Sequence, residues 1–136
     1  MAKKVQELKV WQRAQELCVA VDAILDRPVF GRSPRLREQL EAAADSIVAN
    51  IAEGFEQPTD RAFVRYLYTA KASTAEVRTR LRRACDRGYI SASECAERDA
   101  LGDEVSRLVN GLIKYLCRSD RKDRGLPRPG GRGTDN

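Results

Sequence analysis

Chemistry at neutral pH needs a nucleophile, a base or a metal held in a constellation. The 136-residue chain is poor in all three. It contains no histidine, so the usual general base is missing. Its four cysteines, Cys18, Cys85, Cys95 and Cys117, never fall at C-x-x-C spacing. A zinc site would need all four scattered thiolates, and the expectation is no metal and no cofactor. The cysteines instead suit the role of small apolar residues in a reduced protein. Glu53 and Glu76 are the carboxylates that paired-acid chemistry would use, but a glutamate near a helix end more often serves hydrogen bonds or ion pairs. A di-iron bundle would need Glu-x-x-His motifs, which this chain cannot supply. The expectation is a protein that is not an enzyme.

The groups with spacing that suggests function are basic. Residues 58–88 carry 8 Lys or Arg against 3 Asp or Glu, and residues 118–136 carry 6 against 3. Residues 1–57 carry 8 against 9, and residues 89–117 carry 3 against 5. At about 100° per residue on a helix, Arg65, Arg80, Arg83 and Arg87 fall on one side of an apolar stripe. Lys71, Arg78 and Arg82 fall on the other. Two basic rails suit phosphate contacts, and Arg118, Arg121, Lys122 and Arg124 extend the basic set into the C-terminal segment. The competing reading is salt-bridged structure. Glu76 precedes Arg80 by four residues, Arg82 precedes Asp86 by four, and Glu38, Glu41 and Asp45 form an acidic stripe that could face the rails across a helix or subunit contact.

These residues sit on four amphipathic segments. The first, about 7–26, places Leu8, Trp11, Ala14, Cys18, Val21 and Leu25 at helical spacing. Pro28 and Gly31 interrupt it. The second opens on Ser33 as N-cap and Pro34 at the first helical position, with Leu36, Leu40, Ala43, Ile47, Ile51 and Phe55 as its stripe. Thr59 and Asp60 open the third, which runs through Phe63, Leu67, Ala70, Thr74, Val77, Leu81 and Ala84 to a stop at Gly88. Ser91 and Glu94 form a capping-box pattern for the fourth, whose stripe is Leu101, Val105, Leu108, Leu112 and Leu116. Ser46, Asn50, Ser73 and Asn110 lie among apolar positions and are expected to hydrogen-bond between helices.

The expected fold is all-α, an up-down-up-down four-helix bundle over residues 1–117. Residues 118–136 read as a disordered basic tail. No 18-residue apolar run and no apolar signal-peptide core occur, so no membrane association is expected and the localisation expected is cytoplasmic.

The stretch Ser46-Ile-Val-Ala-Asn-Ile-Ala-Glu-Gly-Phe55 resembles the hallmark motif of the four-helix-bundle proteins of 23S ribosomal-RNA intervening sequences. Leu8-Lys-Val-Trp-Gln-Arg-Ala-Gln-Glu-Leu17 resembles that family's opening helix. Phe63-Val-Arg-Tyr-Leu-Tyr68, Ala75-Glu-Val77 and Gly88-Tyr-Ile90 resemble its third helix and turn, and Leu108-Val-Asn-Gly-Leu-Ile-Lys-Tyr-Leu116 its last helix. The matches span about residues 5–117. Val48-Ala49 stands where the family usually has Pro-Ser, so helix two lacks the family's proline kink. The resemblance gives Asn50, Glu53 and Gly54 a structural part and implies a homopentamer with a central channel. It also implies kinship with the accessory variability determinant proteins of diversity-generating retroelements, which bind a reverse transcriptase and nucleic acid. A pentamer of chains with net charge +5 would carry +25. Such a particle would grip RNA or DNA by many weak, salt-dependent contacts. The expected partners are other copies of the chain, RNA or DNA, and a reverse transcriptase. The alternative is a protein-only oligomeric scaffold of the same family.

Overall fold

The computed structural model describes residues 2–123, with side chains described as far as Arg118. Helices α1 (Lys9–Leu25), α2 (Pro34–Phe55), α3 (Asp60–Asp86) and α4 (Ala92–Asp123) carry the fold, joined by short connections. Short links force neighbouring helices to run antiparallel. Each helix packs on the next and α1 closes on α4, giving an up-down-up-down four-helix bundle.

Local chemistry sets the helix ends. The Thr59 hydroxyl accepts a hydrogen bond from the Ala62 amide at 3.1 Å and so caps α3. At Gly88, φ is +77°, a left-handed conformation that suits glycine. The amides of Gly88 and Tyr89 donate back to the carbonyls of Cys85 and Ala84, both at 2.9 Å, and close the α3 C-terminus. Ser91 and Glu94 cap α4 reciprocally: the Ser91 amide donates to Glu94 Oε1 at 2.9 Å, and the Glu94 amide to Ser91 Oγ at 3.1 Å.

Three expectations need adjusting. Pro28 and Gly31 do not merely break the chain, because Pro28–Arg32 winds into a 3-10 turn that buries Phe30. Ser33 occupies the N-cap position of α2, but its side chain makes no capping bond. Helix α4 also does not stop at Cys117 but continues to Asp123, and the rest of the expected tail, residues 124–136, lies outside the described residues.

The core runs the length of the bundle. Leu17, Ile24, Leu40, Ile47, Ile51, Leu67, Leu81, Val105 and Val109 are among its fully buried side chains. On α4 the buried face is turned from the expected stripe: Val109 and Ile113 are buried, while Leu108 and Leu112 are half-buried. Adjacent apolar pairs permit either phase, and packing against both α1 and α3 selects the one that reads Val105, Val109, Ile113 and Leu116.

Candidate nucleic-acid interface

Polar groups inside the bundle fix the register of α2 against α3, the helices that carry the candidate interface. Ser46 Oγ and Ser73 Oγ lie 2.7 Å apart across the two helices. Asn50 Nδ2 donates to the Ser46 carbonyl at 2.8 Å and to Ser46 Oγ at 3.0 Å. Gly54 supplies a close approach: a Cβ there would stand 2.6 Å from Phe63 Cδ1 and 2.8 Å from Tyr66 Cβ. Phe63 packs edge-on against Phe55 with ring centroids 6.3 Å apart. Asn50 thus bonds within α2 rather than between helices as expected, bracing Ser46 against Ser73, while Gly54 lets α3 approach closely. Glu53 keeps an exposed side chain, and its carbonyl accepts from Gln57 Nε2 at 3.1 Å.

The arginines divide into two populations. Most of those facing the seam with α4 are in ion pairs. Arg78 Nε and Nη2 donate to the two Asp99 oxygens at 2.8 and 3.1 Å, and Nη1 lies 3.6 Å from Asp103. Gly102 makes room for this, since a Cβ there would meet Arg78 Cγ at 2.8 Å. The pairing holds the Asp99 carboxyl below its usual range. Arg13 joins Glu104 at 2.9 Å and Glu16 more closely. Arg27 clamps Glu94 through both carboxylate oxygens. That clamp, aided by the Ser91 amide, lowers the Glu94 carboxyl to about 2. Arg98 has only 12% of its side chain exposed and donates to the Ala20 carbonyl at 2.7 Å.

The second population lies on α3 and at the start of α2. Arg65, Lys71, Arg82, Arg83 and Arg87 are exposed, and none has a carboxylate within 4 Å among the described residues. The anticipated Arg82–Asp86 pair does not form, and Glu76 stands 3.7 Å from Arg80 Nε. Arg80, Arg83 and Arg87 line a cavity of roughly 350 Å³ together with Arg35, Ser33 and Gln39. Arg65 stands ~22 Å along α3 from Arg80. The first rail is therefore a cluster at one end of the bundle with an outlying member. The second rail also divides: Arg78 is engaged by α4, while Lys71 and Arg82 stay open to solvent. Arg118 is exposed on α4, Arg121 and Lys122 lie in the last turn of α4, and Arg124 falls outside the described residues.

Arg35 was not among the candidates read from sequence. Residues 1–57 are net acidic, which hid it, but its place two residues after an N-cap serine was the available signal. The acidic stripe of α2 does not meet the α3 arginines within the chain. Asp45 and Glu41 instead face α1, where burial and then the charges of Asp45, Glu41 and Asp26 raise the Asp22 carboxyl. On the same face the Cys18 thiol donates to Asp45 at 3.4 Å, and burial foremost pushes it up to about 12, which leaves it unreactive. Among the described residues, no group of three or more Cys, Asp or Glu side chains is placed to hold a metal ion, and no helix is long and apolar enough to cross a membrane.

A four-helix bundle with an arginine cluster at one end places the chain among small all-α proteins. The family model for 23S rRNA-intervening sequence proteins matches residues 6–111, and the chain belongs to that family. Among solved structures, it is similar to a Bacteroides thetaiotaomicron protein of the S23 ribosomal protein family, described as of unknown function. The TM-score is 0.70 at 19% identity, covering 77% of this chain and 98% of that one. At that identity the likeness shows the fold. No curated protein matches.

Proposed function

We propose that this chain is a non-enzymatic, homo-oligomeric adaptor that binds nucleic acid, working beside a reverse transcriptase of a diversity-generating retroelement. The observation that carries the reading is the unequal treatment of arginine. Arg13, Arg27 and Arg78 meet carboxylates, while Arg35, Arg65, Lys71, Arg82, Arg83 and Arg87 have none within 4 Å among the described residues. Exposed cations without an ion-pair partner, clustered at one end of the bundle with Arg65 and Lys71 further along α3, suit a polyanion. The pentameric state and the reverse-transcriptase partner rest on the family resemblance.

The acidic face at Asp22, Asp26, Glu41 and Asp45 supports a second reading, a protein-only scaffold. Acidic and basic faces on one chain suit heterologous head-to-tail contacts, which close into rings. Gel-shift titration of structured RNA at rising salt tests the first reading. Binding at low salt that weakens steeply with added salt is expected, and absence of binding at low salt removes the reading. Replacing Arg35, Arg82 and Arg83, which have no carboxylate within 4 Å among the described residues, with Gln separates the two. Loss of RNA binding from an intact oligomer favours the adaptor, and loss of the oligomer without change in RNA binding favours the scaffold.

A further inference from the structure

A strand lying along α3 would need a basic surface but no concavity, yet four arginines converge on one. Arg35, Arg80, Arg83 and Arg87 line the cavity of roughly 350 Å³ at the start of α2, and no carboxylate lines it. Arg80 Nε is buried without a hydrogen-bond partner, and its ion pair with Glu76, at 3.7 Å, is too long for a hydrogen bond. The first turn of α2 borders the same cavity. Pro34 has no N–H to offer, and the Ser33 hydroxyl does not cap the turn. That hydroxyl is taken by the Tyr89 hydroxyl at 2.8 Å and by the Arg87 guanidinium, which donates to it. The positive end of the α2 dipole is thus left without its side-chain cap beside four guanidiniums.

We infer that this cavity seats a phosphate monoester, the terminal phosphate of a nucleic-acid strand. The inference rests on the nucleic-acid reading above for its source. A monoester carries a charge of about −1.5 to −2 near pH 7 and three strong acceptor oxygens. A phosphodiester inside a strand offers one charge and two free oxygens, fewer than four guanidiniums can use. A carboxylate offers one charge and leaves the guanidiniums underused. Arginine forks bind phosphate oxygens in pairs, and a helix N-terminus with free amides adds donors aligned with its dipole. Arg87 enters the seat already oriented by Ser33, which reduces the ordering required on binding.

The test uses the full chain and one RNA sequence in three forms: 5′-phosphorylated, 3′-phosphorylated and unphosphorylated, with an internal fluorophore. Anisotropy is expected to show one phosphorylated form binding about tenfold tighter than the unphosphorylated strand, the effect of gaining charge-assisted hydrogen bonds. In the double variant Arg35→Gln, Arg83→Gln that preference is expected to vanish, while the unphosphorylated strand, still met by Arg65, Lys71 and Arg82, binds more weakly but measurably, with an unchanged melting temperature. Equal affinity for all three strands in the unsubstituted protein overturns the inference and leaves strand binding standing. Preference that survives the double variant overturns the seat. Failure of every strand to bind at low salt removes the nucleic-acid reading, and the inference with it. Inorganic phosphate separates the sources. If it raises the melting temperature of the unsubstituted protein while no phosphorylated strand gains affinity, the seat takes free phosphate and the strand assignment is overturned.

Discussion

The α1–α4 and α3–α4 seams and the α2–α3 end are equally rich in arginine and use it differently. Along the seams, Arg13, Arg27 and Arg78 each meet a carboxylate of α4, and Arg98 reaches back to a carbonyl of α1. At the end of α3 nothing acidic answers Arg83 and Arg87 within 4 Å among the described residues. Arg80 keeps a buried Nε without a hydrogen bond. The same residue type therefore serves cohesion in one region and stays available in the other. Net charge alone could not have drawn this line, because an arginine in a cross-helix pair and an unpaired one count the same in a composition.

Substitutions along the seam are expected to cost the most stability. Arg98→Ala removes a nearly buried guanidinium and two donated hydrogen bonds, and about 1–3 kcal/mol of lost stability is expected in urea unfolding. An Arg98→Ala protein as stable as the original would show that the seam does not depend on its arginines. Gly102→Ala drives a Cβ into Arg78 Cγ. The flexible side chain can retreat, so about 1 kcal/mol is expected, chiefly through the weakened Asp99 pair. A crystal structure of that variant with the pair intact would contradict the account.

Acid probes the same seam. The Glu94 carboxyl is held at about 2, below its ordinary 4.5, first by Arg27 and next by the Ser91 amide. A depressed carboxyl stabilises the fold above its unfolded value, and that contribution fades as pH falls through the folded value. Stability from this clamp is therefore present above about 4.5 and is lost between about 4.5 and about 2. Glu94→Gln is expected to be less stable at pH 7 and to show a shallower loss over that window in acid titrations followed by circular dichroism. At the other end, Arg35→Gln with Arg83→Gln should leave stability within about 0.5 kcal/mol, as exposed, unpaired positions do. A larger loss would mean that these cations serve the fold after all.

Periodicity and punctuation carried most of the fold. Thr59, Gly88 and the Ser91–Glu94 box each do locally what their residue types suggest. Ser33 shows where local rules stop: Tyr89 and Arg87, more than fifty residues away, claim the hydroxyl that should have capped α2. The phase of α4 was ambiguous for a similar reason, since Leu108-Val109 and Leu112-Ile113 offer two stripes and only the neighbouring helices choose. The candidate interface was half legible. Helical spacing grouped Arg80, Arg83 and Arg87 correctly. It could not join them to Arg35 across a helix pair, nor see that Gly102 lets Arg78 turn inward to α4. Such tertiary contacts have no trace in the spacing of one segment.

The most direct test of the division between cohesive and available arginines is RNA affinity as a function of salt in two multiple variants. One replaces Arg35, Arg65, Arg82 and Arg83 with Gln, and the other replaces Arg13 and Arg78. The account predicts that the first keeps its melting temperature but loses binding, with the slope of log K against log salt falling by about 0.7 for each single-strand phosphate contact removed. It predicts that the second melts earlier and, below its melting temperature, keeps the original slope. Equal slopes in the unsubstituted protein and the first variant, or a slope lost only in the second, would contradict it.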